Sequence, residues 1–209
     1  MMKYPQLFRS LPLILTGLVV SAMSPSSSEA RIGERREEIE RRLTGSGGII
    51  YRNDETEQAR RKGMPYMQYM ELLGSSADVR IYFKTADGRR PTTSELESKR
   101  MNTGWDLHVV YVNGKSVAEV YKRSQAMSEY ELNQLIAMQG GGSGWKKLGK
   151  GAAEESAFGY EMESGDGSVR AKKLGGDSIL FVDAKVDSAL AEMNTNDLLE
   201  KAPLSVNGF

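Results

Sequence analysis

The sequence predicts an α+β fold, an antiparallel sheet with packed helices, and three local patterns carry that expectation. Trp105 to Lys122 holds two β-rich runs joined by Asn113-Gly114, a dipeptide whose residues both tolerate positive φ and so mark a two-residue hairpin. Ser128-Glu129-Tyr130-Glu131 reads as a capping box, in which the serine hydroxyl and the Glu131 carboxylate satisfy backbone N–H groups that a first helical turn leaves open. Ile179-Leu180-Phe181-Val182 is an apolar run of strand length, and Asp183 stands where it caps a helix with Val186, Ala189, Leu190 and Met193 on one stripe.

Taken in order, residues 1–30 read as a signal peptide. Lys3 and Arg9 precede an apolar run from Leu11 to Val20, and small residues follow, with cleavage expected after Ala30 or after Ala22. The run falls short of the roughly 20 residues a spanning helix needs, so a periplasmic or secreted location is expected, with no transmembrane segment after cleavage. Residues 31–148 are expected to form an α+β domain. Its first helix covers Glu34 to Leu43, where Glu37 and Glu38 stand four residues before Arg41 and Arg42, and Ile39 and Leu43 supply a narrow apolar stripe. The glycines after Thr44 end it, and Ile49-Ile50-Tyr51 is a short strand.

Residues 53–63 are polar enough to form either a helix or an excursion. Met64 to Leu73 places Met64, Met67 and Met70 three apart, with Tyr66, Tyr69, Leu72 and Leu73 between them; ordinary core packing is the plainer reading of the stretch, beside an adaptable Met-rich surface that binds a partner. Val79 to Lys84 alternates as a half-buried strand, Asp87-Gly88 turns, and residues 89–103 form a loop with a short helix inside it. In the hairpin, Val112 is expected to face Lys115, Val110 to face Val117, Val109 to face Ala118, Leu107 to face Val120 and His108 to face Glu119. Leu107, Val109, Tyr111, Ala118 and Val120 then point to the core, and His108 with Glu119 to a wetter side.

The capped helix runs from Ser128 to Gln139, stopped by Gly140-Gly141-Gly142, and Trp145 plugs one end of the core. Residues 157–193 are expected to add three strands and a helix to the same domain. Residues 194–209 read as a loosely held tail, because Pro203 and Gly208 oppose a continued helix.

The Ile32-Gly33-Glu34 segment, the Asn113-Gly114-Lys115 strand pair, the Ser128-x-x-Glu131 helix and the Gly142-Ser143-Gly144-Trp145 bend together resemble a loose group of uncharacterised exported bacterial proteins. The order of helix and antiparallel sheet is similar, more weakly, to the small outer-membrane-assembly lipoprotein domain and to the secreted β-lactamase-inhibitor fold. Both are protein-binding modules, so the resemblance implies partner binding and carries over no individual site residue. The chain departs from them in lacking a lipoprotein cysteine and in its insertions at residues 53–63 and 89–103.

Composition narrows the chemistry. Lysine plus arginine and aspartate plus glutamate balance at 28 each, and cleavage after Ala30 removes only Lys3, Arg9 and Glu29, so a nucleic-acid partner is not expected. The basic clusters Arg35-Arg36, Arg41-Arg42 and Arg60-Arg61-Lys62 are interleaved with glutamates and read as solvated helix faces. With no cysteine and one histidine there is neither thiol catalysis nor a histidine-rich zinc site, and no cofactor or metal is implied. His108 could act as a general base oriented by Glu119, against the plainer reading of a cross-strand pair on a sheet. Ser143 departs from the Gly-x-Ser-x-Gly elbow, and Glu154-Glu155 and Glu161-x-Glu163 are acid pairs of a kind common on any surface.

The reading that results is a non-enzymatic macromolecule-binding module of the bacterial cell envelope with an envelope protein as partner. The alternative is an envelope or glycan hydrolase using acidic residues. The candidate binding residues are Tyr66, Met67, Tyr69 and Met70, since thioethers and aromatic rings exposed together mark interfaces.

Overall fold

The computed structural model describes residues 32–50, 54–97, 103–148 and 155–200. The expected signal peptide, both cleavage positions, Tyr51, Glu154 and residues 201–209 of the tail lie outside them. Among the described residues no helix is long and apolar enough to cross a membrane.

Eight antiparallel strands form one sheet: β1 (Ile49–Ile50), β2 (Ala77–Thr85), β3 (Gly104–Val112), β4 (Lys115–Arg123), β5 (Trp145–Lys147), β6 (Met162–Ser164), β7 (Val169–Lys173) and β8 (Ser178–Asp183). Their spatial order is β1-β2-β3-β4-β8-β7-β6-β5, two four-strand meanders joined where β4 pairs with β8. A helix leads into each meander, α1 (Arg36–Gly45) before β1 and α5 (Glu129–Gln139) before β5. The strands of residues 157–193 thus continue the first sheet. Both edge strands are two or three residues long, and Lys146 and Lys147 stand on one of them, which limits pairing with a further chain.

The α+β class stands, and so do the local signals. Asn113 and Gly114 both take positive φ, 52° and 76°, at the hairpin tip. The Ser128 hydroxyl accepts from Glu131 N at 3.2 Å while Glu131 accepts from Ser128 N at 2.9 Å. The Asp183 carboxylate accepts from Lys185 N and Val186 N at 2.9 and 3.0 Å. Residues 54–61 form a helix, α2, and residues 65–73 form a 3-10 turn (Pro65–Tyr69) running into α3 (Met70–Leu73); a further short helix, α4, spans Thr93–Glu97.

Three expectations are corrected. The sheet is buried on both faces, so β2 and the hairpin have no wet side. One face packs Tyr82, Leu107, Val109, Tyr111, Tyr121, Ile179 and Phe181 under α1 and α5. The opposite face packs Val79, Val110, Ala118, Val120, Leu180 and Val182 under the turn at Tyr66–Tyr69 and α6 (Ala184–Glu200). Strands buried on both sides read as near-continuous apolar runs, as Ile179–Val182 does.

The second correction is to the hairpin register. Val112 faces Lys115 and Tyr111 faces Ser116, but Val117 is then an extra residue, so Val110 faces Ala118, Val109 faces Glu119, His108 faces Val120 and Leu107 faces Tyr121. A one-residue bulge flips every side chain beyond it to the other face. It sits where β4 changes partner. Gly33 N donates to Ser116 O at 2.8 Å and Ser116 N to Glu34 O at 2.9 Å, whereas β8 takes over from Ala118 onward. The third correction is to the last helix, which continues through residues 194–200 and whose buried inner positions are Ala184, Asp187 and Leu190, with Ala189 and Met193 exposed.

Candidate functional site

Tyr66, Met67, Tyr69 and Met70 do not form a shared exposed patch. The turn that carries them folds both tyrosine rings into the sheet, 1% and 5% exposed, and leaves Met67 as the exposed member at 42%. Met70 is half-buried against the same cluster. The tyrosine hydroxyls explain the orientation: Tyr69 donates to Ala157 O at 2.6 Å, and Tyr66 shares a 2.7 Å hydrogen bond with Nδ1 of His108. A buried phenol needs such a partner, and the 3-10 turn aims each ring at one.

His108 is 1% exposed and lies on the face opposite Glu119, so the His–Glu dyad does not exist in the fold. Burial, helped by the positive charges of Lys122, Arg60 and Arg61, lowers its pKa from 6.5 to about 3. The ring is enclosed beneath Tyr66, whose hydroxyl shares its Nδ1. Glu119 instead accepts from the Tyr121 hydroxyl at 2.7 Å and from Gln139 Nε2 at 2.8 Å, a buried network that ties β4 to α5.

The remaining acids are largely engaged as well. Asp187 pairs with Arg170 at 2.8 Å, Arg60 with Asp106, and Arg61 with Glu57 at 3.7 Å. Glu163 stands 3.5 Å from Arg170, and Glu161 is exposed. Ser143 Oγ donates to Gly140 O at 2.6 Å inside the bend after α5. Among the described residues, no three histidine, aspartate or glutamate side chains gather where a metal could be held.

What the fold does build is a cleft between α1 and α5. Each helix precedes its own meander, both lie on the same face of the sheet, and the space left between them is a pocket of about 210 Å³. Its floor is Tyr82, Leu107 and Tyr121 from β2, β3 and β4. Leu43 of α1 and Leu135 and Met138 of α5 line it, with Trp105 as a further apolar contact. Arg42, Ser46 and Lys84 supply its polar side. The tyrosine hydroxyls are used elsewhere: Tyr82 with Tyr111 at 2.9 Å and Glu40 at 3.3 Å, Tyr121 with Glu119. The floor therefore offers apolar contact on a rigid three-strand platform.

A larger hollow of about 420 Å³ lies at Arg60, Lys62, Asp106 and Lys122. Its lining is mostly polar and includes the Arg60–Asp106 pair, so it offers little apolar surface for burial. Sequence reading missed the α1/α5 pocket because its residues come from five elements spread between positions 42 and 138. The signal that was present is the apolar spacing of Ile39 and Leu43 together with that of Leu132, Leu135 and Ile136, two stripes that cover one face without closing over it.

Compared with protein-family models, curated proteins and solved structures, the chain matches none of them.

Proposed function

We propose that this chain is an exported, non-enzymatic module that binds a macromolecule of the bacterial cell envelope, through the pocket between α1 and α5. The observation that carries the reading is that pocket: an apolar recess with a basic side, on a sheet buried on both faces, with no free acid–base pair among its lining residues. At about 210 Å³ it is smaller than the roughly 300–1,000 Å³ that encloses a drug-sized metabolite, and it suits one large side chain of a partner. Export is supported by the charged, apolar and small-residue order of residues 1–30. The enclosed His108 and the engaged acids give the hydrolase alternative no specific support.

The test is a crosslinking pull-down from native envelope with the mature form, beside a Met138→Trp variant that fills the pocket. Met138 is half-buried at the pocket side, so the larger ring has room to settle there without rebuilding the core. A partner recovered with the wild type and lost with a folded variant supports the reading. Equal recovery with both removes the pocket from it.

A further inference from the structure

Resting on the pocket reading above, we infer that the occupant is an aromatic or long aliphatic side chain of a protein segment that carries acidic residues on either side of it. The floor decides the anchor. Tyr82 and Tyr121 present ring surface while their hydroxyls are spent on Tyr111, Glu40 and Glu119, so a polar anchor set against the floor would lose water and gain no partner from it. An apolar ring gains area burial and ring contacts with the two tyrosines and Trp105.

The basic side decides the flanks. Arg42 and Lys84 line the pocket and no acidic residue does. Arg42 engages Glu34 through Nη1 and keeps 33% of its side chain exposed. Lys84 makes no ion pair among the described residues. A segment with a carboxylate before and after its anchor places negative charge beside both cations, whereas a basic segment meets like charge. Size argues for a protein anchor over a lipid, because a diacyl tail far exceeds about 210 Å³. The balanced charge of the chain argues against nucleic acid.

The experiment titrates the full chain with four amidated tripeptides, acetylated at the N-terminus: Asp-Trp-Glu, Gln-Trp-Gln, Lys-Trp-Lys and Asp-Ala-Glu. The indole N–H signal of Trp105 is followed by NMR. Trp145, outside the pocket lining and bonded through Nε1 to Ile136 O at 2.8 Å, is the internal control. Expected is a saturable shift at Trp105 that is strongest with Asp-Trp-Glu, weaker by a factor of about 3 to 10 with Gln-Trp-Gln, and weaker again with Lys-Trp-Lys. Asp-Ala-Glu gives none, the preference narrows with added salt, Met138→Trp abolishes binding, and Lys84→Glu erodes the acidic preference.

Equal affinity for the acidic and basic peptides overturns the inference and leaves the binding-module reading in place. No saturable shift at millimolar concentrations of any tryptophan peptide also overturns it. The pull-down reports separately on the reading beneath it.

Discussion

Replacing Asp187 with alanine tests the reading that the second meander is fastened to α6 by a buried charge. The carboxylate is fully buried; Oδ2 accepts from Arg170 Nη1 at 2.8 Å and Oδ1 accepts from Phe158 N at 3.2 Å. Arg170 lies on β7, itself largely buried, with its guanidinium 4.3 Å from the Tyr160 ring centroid and bonded to Ser188 Oγ at 2.8 Å. Removing one member leaves the other's charge desolvated and poorly compensated, a loss of about 3–5 kcal/mol. With a urea dependence of about 2 kcal/mol per molar, the unfolding midpoint should fall by roughly 1.5–2.5 M with unchanged slope. The assay is urea unfolding followed by tryptophan fluorescence and circular dichroism. The double variant Arg170→Met with Asp187→Leu should recover most of the loss, because apolar residues of similar volume replace a buried ion pair at little cost. A midpoint shift under about 0.5 M, or a double variant as unstable as Asp187→Ala, would refute the argument.

Glu95→Gln breaks the exposed Arg89–Glu95 pair at 2.6 Å, and its urea midpoint should stay close to that of the wild type. His108 has a folded pKa of about 3 against 6.5 unfolded, so its contribution is complete above pH 6.5 and is lost as pH falls toward 3. Between about pH 6 and 4 it should add a slope approaching 1.4 kcal/mol per pH unit, absent in His108→Gln, and an imidazole seen by NMR to titrate near pH 6.5 in the folded chain would contradict it. Gly140→Ala places a Cβ 2.5 Å from Trp145 Nε1 and displaces the bond that this nitrogen donates to Ile136 O. A loss of about 2–4 kcal/mol and an altered tryptophan emission are expected. At the hairpin tip, Gly114→Ala forces a side chain to φ 76° and should lower stability by about 1–2 kcal/mol in the same urea assay.

Much of the secondary structure was legible because its signals are local. Asn113-Gly114, the Ser128–Glu131 box and the Asp183 cap each act within four residues, and all three form as the sequence implies. The hairpin register was not legible, because the bulge at Val117 answers to Glu34, Gly33 and β8 rather than to the turn. At Met64–Leu73 two readings stayed open for a related reason: three-residue spacing shows that Tyr66 and Tyr69 share a side, and only the assembled chain turns that side to His108 and Ala157, as core packing and not as an exposed patch. The pocket was hidden further still, since Leu43, Tyr82, Leu107, Tyr121 and Leu135 meet only across three strands and two helices.

By itself, then, the sequence determined the α+β class, the hairpin, the capped helices and the turns between them, because backbone propensity and nearest-neighbour hydrogen bonds act over a few residues; α2, the turn at Pro65–Tyr69 and β5 were left open by it. Tertiary structure alone decided that both faces of the sheet are covered, that His108 and Glu119 lie on opposite sides of it, and that α1 and α5 stand apart over a recess. Those outcomes depend on which distant surfaces exclude water together, and burial is a property of the assembled chain, not of any segment in it.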